Sequence, residues 1–517
     1  MINRQGKQKD GLSGEIPMAI AGLDIGTTGC KCTVYDRSGQ LLSEAYREYP
    51  ARETADHGLD ASVVWECTKA VLKEAAGVGK PIAAIGITSF GEAAVLLDRA
   101  DAPLAFSLLY TDPRGKEQCE RLAAHFGGEE LFRSTGLKPS PMYTIPKLMH
   151  IRENHPGLFA QCERICLFAD YMVYMLSGVR QVDYSSASRT MAFDIHTLQW
   201  NEAILAFAGI SRTLLPAPVP IGTRAGPVRR EWARELGLSE DTVIVSGCHD
   251  QLAAAIGTGA YKPGMAVDGT GTVECITPVF GTGIRSHLLY SGSYAMVPFL
   301  NGQLATYAFS FTSGALLKWY RDKLAAAEAD AARGLGINPY EFFNGQVDAA
   351  SPSGLLVLPH FSGAATPYMD PESRGAVIGL TTETTSRDIY QALMEGVTYE
   401  MALNLEQLSA AGIEIRTIRA TGGGALSDIW LQMKADIWNL PVVSLGAAQS
   451  GTLGCIMLAG AACGIYGSVA EAERIFVKAG RTYAPDPARH EIYRKWYRKY
   501  KKCYEAVKTI LAADREE

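Results

Sequence analysis

The sequence predicts a mixed α/β protein of two lobes built on one duplicated unit. Three observations predict it. The chain has 517 residues, well past the ~250–300 at which single cores stop growing. Apolar, strand-like runs alternate with helix-like segments, the signature of α/β lobes. One local pattern also occurs twice, about half a chain apart: an apolar strand ending in Asp, a Gly-Thr turn, and a second strand. The first copy is Ala19–Ile25, GTTG and Lys31–Asp36; the second is Gly264–Asp268, GTGT and Val273–Ile276. That spacing is too long for a solenoid and fits a duplicated domain.

Further elements follow in order. Pro81–Thr88, Ala93–Leu97 and Thr242–Val245 read as strands, the last meeting SGCHDQ before an apolar helix over Leu252–Ile256. In the second half, Glu414–Ala420 reads as a strand ending at TGGGA, and Ser427–Trp438 has helical periodicity. Leu440 to Ala470 lacks formal charge, but its continuous apolar part, Cys455 to Ile465, falls short of the ~20 residues that cross a bilayer. It reads as a strand entering a buried helix. Glu491 to Glu517 is charged, with Tyr, Trp and Leu at helical spacing, and predicts a surface helix. Residues 1–17 are polar, lack an apolar signal core and predict a disordered tail. The lobes are then expected at 18–256 and 257–512.

Hydrophobic residues make up 47% and charged residues 20%, as in an ordinary soluble protein. A net charge of -6 gives no basic footprint for nucleic acid or for an anionic membrane. The 11 cysteines are scattered without a CxxC, which argues against zinc and for a reducing cytoplasm with thiols used as small apolar groups. A homodimer is left open.

The chemistry concentrates in the turns. Gly26, Thr27, Thr28 and Gly29 form a tight turn whose N–H and hydroxyl groups can cradle an anion, with Lys31 adding positive charge. Asp24, at the strand end, suits Mg²⁺ held through water; a plain hairpin turn is the competing reading. Gly269, Thr270, Gly271 and Thr272 repeat the cradle, and two such turns facing each other can grip a triphosphate. Gly422, Gly423, Gly424 and Ala425 lie between a strand and a helix, where backbone can approach a base or ribose. Asp250, at a strand-to-helix junction, is placed either to accept a hydroxyl proton in phosphoryl transfer or merely to cap its helix. Beside two phosphate turns the first is favoured. Glu92, Tyr110 and Asp112 supply polar groups and an aromatic wall suited to a polyhydroxylated ligand.

Together these motifs resemble the FGGY family of carbohydrate kinases over about 19–482. DIGTTGCK is similar to that family's opening phosphate motif, and MYTIPKLMHI around Lys147 to its N-terminal signature. LFADYMVYMLSG and the segment 183–194 look like the next landmarks. PHFSGAATPYMDPESRGAVIG, GVTYE, and TGGGA followed by WLQMKADIWNLPV resemble the later ones. The resemblance implies two actin-like (ribonuclease H-like) domains flanking a central cleft, Mg-ATP, Asp250 as catalytic base, and a second metal contact there beside Asp24. It implies nucleotide contacts at Gly26, Thr27, Thr28, Lys31, Gly269 to Thr272, Gly314, Gly422 to Ala425 and Asp428, and closure of the lobes.

Substrate contacts are expected at Gly91, Glu92, Tyr110, Asp112, Asp250 and Gln251, and here the family pattern divides. Glu92 and the pair Asp250-Gln251 are similar to glycerol kinases. Gly91 stands where those have Arg, and Met142 where they have a substrate Tyr. DPESRG and GVTYE look closer to pentulose kinases. The expected activity is ATP-dependent phosphorylation of a small sugar, a ketopentose such as xylulose being favoured over glycerol, a tetritol or a ketohexose. An actin-like ATPase switch with no sugar substrate is the alternative of another class.

Overall fold

The computed structural model describes residues 18–50, 58–445 and 449–512; the tail expected over 1–17 lies outside them. The first lobe is organised by a six-stranded sheet. Its strands are β1 (Ala19–Ile25), β2 (Gly29–Asp36), β3 (Leu41–Glu48), β4 (Ile82–Ser89), β5 (Thr223–Pro227) and β6 (Val243–His249), in the order β5-β6-β4-β1-β2-β3. β1 pairs antiparallel with β2 and parallel with β4; β4 runs parallel with β6, and β5 closes the edge antiparallel. Buried on both faces, β1 reads as a nearly continuous apolar run rather than an alternating one.

The second lobe repeats this path. A hairpin of β7 (Met265–Thr270) and β8 (Glu274–Phe280) is extended on the β8 side by β9 (Val297–Pro298), β10 (Leu304–Ala305) and β11 (Ala308–Ser310). On the other side β7 runs parallel with β12 (Thr417–Thr421), β12 with β13 (Val442–Leu445), and β14 (Ala479–Tyr483) closes the edge antiparallel. Strand for strand, β7-β12-β13-β14 matches β1-β4-β6-β5. The duplication read from two Gly-Thr turns is thus a duplication of sheet topology.

The helices that follow the two equivalent strands meet between the lobes. α1 (Asp250–Gly257) follows β6, and α2 (Ser450–Ala462) comes after β13. They pack on each other, and α2 also lies across β1, β4 and β6 of the other lobe. The fit needs missing side chains. A Cβ on Gly22 would sit 2.2 Å from the Thr452 carbonyl oxygen, and one on Gly86 2.3 Å from that of Cys455. Where the helices cross, a Cβ on Gly257 would meet the Ser450 carbonyl oxygen at 1.9 Å and one on Gly454 that of Ala253 at 2.0 Å. The apolar, uncharged segment of the sequence is therefore the wedge that joins the lobes. Among the described residues no helix is long and apolar enough to cross a membrane.

A buried ion cluster pins the second sheet to α3 (Asp428–Trp438). Lys434 Nζ donates to Asp268 Oδ2 at 2.6 Å and Thr270 Oγ1 at 2.7 Å, and lies 3.0 Å from Glu274 Oε1. The side chains of Lys434, Asp268 and Glu274 are all 0% exposed. Burial works against the Lys434 charge, yet the two carboxylates outweigh it and raise its pKa. Burial and then Asp268 push Glu274 up to about 7. The cluster fixes Thr270, and with it the second turn.

The C-terminal segment departs from the single surface helix expected. It forms α4 (Pro487–Tyr500) and α5 (Cys503–Ala512), with Tyr493 and Tyr500 buried and the Tyr500 hydroxyl donating to Glu400. The aromatic stripe that suggested a helix is what docks it. Residues 513–517 of that expectation lie outside the described ones.

Two outcomes follow. Gly86→Val should cost about 1–3 kcal/mol or more of stability, read as a lower urea midpoint, because the helix backbone beside it cannot retreat. Lys434→Met leaves two carboxylates unpaired in the core and should cost about 3–5 kcal/mol, read by thermal or urea unfolding.

Candidate functional site

The first turn sits at the end of β1. Gly26 N–H donates to the Gly29 carbonyl at 2.9 Å, leaving Thr27 and the exposed Thr28 at the tip. Lys31 stands opposite Asp24 in the hairpin register and pairs with Glu44 at 3.0 Å. Asp250 is the first residue of α1; its Oδ1 accepts from Gln251 N–H at 2.6 Å and lies 3.1 Å from His249 Nδ1. Asp24, Gly26, Thr28, Lys31, Asp250 and Gln251 share a cleft of about 350 Å³, whose other wall is Gln449 to Thr452 at the start of α2. Both lobes therefore contribute to it.

The carboxylates there are held in an unusual state. Burial pushes Asp24 up to about 6, opposed by Lys31. Burial, then the charges of Asp24 and Glu92, push Asp250 up to about 7. Asp250 keeps 32% side-chain exposure and lines the open cleft. Two carboxylates of raised proton affinity on one cleft, one of them raised by the other, make a place for a cation. The reading of Asp250 as a helix cap is met only in part, since one of its oxygens takes the neighbouring N–H.

The second turn and the glycine loop meet in a larger cleft. Thr270, Gly271, Thr272, Gly314, Gly423 and Gly424 line about 770 Å³, along with Asn338, Tyr340 and Trp430. Gly314 N–H donates to the Gly271 carbonyl at 2.9 Å. Gly422 stands behind the lining, where a Cβ would meet the Thr270 carbonyl at 2.5 Å, and Ala425 is buried. Gly269 is paired within the β7–β8 hairpin. Asp428 is off this lining; its side chain is 74% exposed and accepts from the Tyr483 hydroxyl at 2.6 Å. The two turns line separate clefts. Asp250 shares the first, and its charge is felt by Cys275, which pairs with Gly269 beside the second turn.

The remaining expected residues gather beside Asp250. Glu92 has φ +69, in the left-handed region, and is buried. Its Oε1 accepts from Arg189 Nε at 2.6 Å and Nη2 at 2.5 Å. A Cβ on Gly91 would meet Arg189 Cγ at 2.9 Å and His249 Cδ2 at 3.1 Å. Tyr110, partly exposed, lies within the fields of Glu92 and Asp250. Asp112 is buried and accepts from Arg114 through Nε, Nη2 and the backbone N–H. Burial would raise its pKa, but those bonds outweigh burial and hold it low. Burial and then Arg189 drive His249 well below its ordinary pKa, so its ring is neutral.

Sequence reasoning did not single out Arg189, Tyr143, Tyr307 or Lys434. The Arg189 guanidinium lies 5.1 Å from the Tyr143 ring and 5.3 Å from that of Tyr307. A lone Arg in a run of small residues, DYSSASRTMAF, was the available signal for it. Tyr143 adjoins Met142, the position at which a substrate Tyr was sought.

The chain is similar to known carbohydrate kinases over most of its length. Residues 19–257 match the N-terminal domain, and 274–463 the C-terminal domain, of the FGGY family of carbohydrate kinases. A glycerol kinase of Bordetella parapertussis is 32% identical over 487 residues, covering 90% of this chain and 92% of the relative. A xylulose kinase of Bacillus subtilis is 27% identical over 96% of this chain and 98% of the relative. Among solved structures, a gluconate kinase of Lactobacillus acidophilus superposes with a TM-score of 0.86 at 24% identity, covering 95% of this chain and 98% of that one. A xylulose kinase of Rhodospirillum rubrum gives 0.85 at 25%, covering 95% and 99%. The topology is thus the actin-like, two-domain one, and the chain belongs to the FGGY family of carbohydrate kinases, ATP-dependent phosphotransferases.

Proposed function

We propose that this kinase transfers the γ-phosphoryl group of ATP to a hydroxyl of a small neutral ketose or polyol, a ketopentose such as xylulose being the favoured acceptor. One observation carries the reading: Asp250, with its proton affinity raised, shares a cleft with the phosphate-sized turn at 26–29 and lies within the fields of the buried Glu92 and Arg189. A carboxylate that holds a proton near neutrality is suited to take one from an attacking hydroxyl.

In this reading the larger cleft takes the nucleoside, with its glycine loop against the base or ribose. The turns at 26–28 and 269–272 reach the triphosphate from opposite lobes. Closure about the α1–α2 wedge brings the two clefts onto one ligand and excludes water, the competing acceptor. The hard oxygen donors Asp24 and Asp250 fit magnesium held through water. Bound there, the ion would neutralise charge on the phosphates. Glu92, Tyr110 and Gln251 orient the acceptor, while Asp112, occupied by Arg114, shapes the wall. Most of the rate enhancement would come from positioning and electrostatics.

Glycerol or a tetritol is the second reading, favoured by Glu92 and Gln251 and by the 32% identity to a glycerol kinase. A panel of ketoses, polyols and deoxy-sugars in a coupled ADP-release assay separates the two. ADP release indifferent to every acceptor would sink both.

Asp250→Asn should lower turnover by about 100- to 10,000-fold while leaving ATP binding nearly intact, measured by steady-state kinetics and calorimetry. The same variant tests the raised proton affinity. The unfolded carboxyl releases its proton near its ordinary 3.8, and the folded one near 7. This group's contribution is therefore fully present below pH 3.8 and is lost as pH rises through 7. In chelator and without ligands, Asp250→Asn should melt about 2 °C or more above the parent at pH 8 and show no gain at pH 4.

A further inference from the structure

The face of the first sheet that meets the smaller cleft carries a row of three opposed residues. Asp24 stands opposite Lys31, and Lys31 opposite Tyr46, on β1, β2 and β3. Directly opposed residues of an antiparallel pair share a face, and all three line the cleft of the first turn. Tyr46 is the aromatic member of the row and stays 54% exposed.

A missing side chain directs it. Gly29 lies on the same face, two residues before Lys31. Tyr46 leans diagonally across the gap that Gly29 leaves. Its hydroxyl and Cζ lie 2.7 and 2.9 Å from where a Cβ on Gly29 would stand. Gly29 is also the residue whose carbonyl closes the turn by accepting from Gly26 N–H. The phenol end of Tyr46 therefore rests at the turn shaped to cradle an anion. Among the described residues no hydrogen bond engages its hydroxyl.

Charge gives that hydroxyl a use. Asp24 and Asp250 both line the cleft, and Lys31, the one cation on its lining among the described residues, is paired with Glu44 at 3.0 Å. Glu44 is held in turn by the Gln449 side chain, which donates to it from the opposite wall. A terminal phosphate at the turn thus meets two carboxylates and one cation that is already matched. Its oxygens need donors that bring no further carboxylate with them. Backbone N–H groups of the turn are one kind, and a phenol hydroxyl is another.

We propose that Tyr46 is a further residue of the transfer reaction, its hydroxyl donating to an oxygen of the terminal phosphate of ATP at the turn of residues 26–29. The proposal rests on the kinase reading above and deepens it.

The test uses the full-length enzyme with magnesium and two nucleotides: ADP, and the β,γ-imido analogue of ATP, which keeps the terminal phosphate and needs no acceptor. Tyr46→Phe keeps the ring and removes only the hydroxyl. By calorimetry it should bind the analogue about 10- to 100-fold more weakly than the parent, the worth of a hydrogen bond to a charged group, and bind ADP as the parent does. Tyr46→Leu should lose at least as much affinity for the analogue, again sparing ADP, and serves if the Phe variant does not fold. A structural role would weaken both nucleotides together. Parent-like binding of the analogue by Tyr46→Phe, or an equal loss for ADP and the analogue, overturns the proposal. A parent enzyme that binds neither nucleotide overturns instead the kinase reading beneath it.

Discussion

The rest of the molecule depends on one contact, the backbone of α2 lying directly on a sheet from which side chains are missing. Gly22 and Gly86 sit side by side on neighbouring strands and let the carbonyls of Thr452 and Cys455 approach. Gly257 and Gly454 do the same where α1 and α2 cross. Close-packed interiors transmit displacement rather than absorb it, so this seam sets the position of everything at its end. Asp24 ends the strand beneath α2, Asp250 opens α1, and the first turn of α2 completes the cleft wall. A helix N-terminus there places partial positive charge beside two carboxylates that burial would otherwise penalise more heavily.

The two lobes solve a similar problem in different ways. In the first, Asp24 lines a cleft with Lys31, opposite it in the hairpin, as its counter-charge. In the second, the equivalent Asp268 is wholly enclosed and neutralised by Lys434. One aspartate is left facing a cleft, and the other holds a turn in place. The duplicated topology thus carries a division of labour that the repeated strand–Asp–turn pattern does not reveal by itself.

Much of the architecture was legible because the repeat is local. Ala19–Asp36 and Gly264–Ile276 carry strand, turn and strand within a short span, and their hairpins formed where the pattern placed them. The uncharged stretch after Leu440 was read as strand and buried helix, and it forms β13 and α2. What escaped was long-range. Arg189 meets Glu92 across 97 residues and Lys434 meets Asp268 across 166. No periodicity records such pairings. Asp428 shows the opposite limit: a family pattern assigned it to the nucleotide, and its side chain points to solvent beside Tyr483. The C-terminal stripe of Tyr and Trp gave helix correctly but not its docking, since burial depends on a partner face far back in the chain.

The seam also carries its own reporter. All eleven thiols are free, and Cys455 is among the fully buried ones, its sulfur 3.3 Å from where a Cβ on Gly247 would stand. Burial lifts its pKa well above the ordinary thiol value, so it is inert while the lobes stay seated. Every excursion that lifts α2 from the sheet hydrates that sulfur. The rate at which an alkylating reagent finds Cys455 therefore counts how often the two halves part, without any label being introduced.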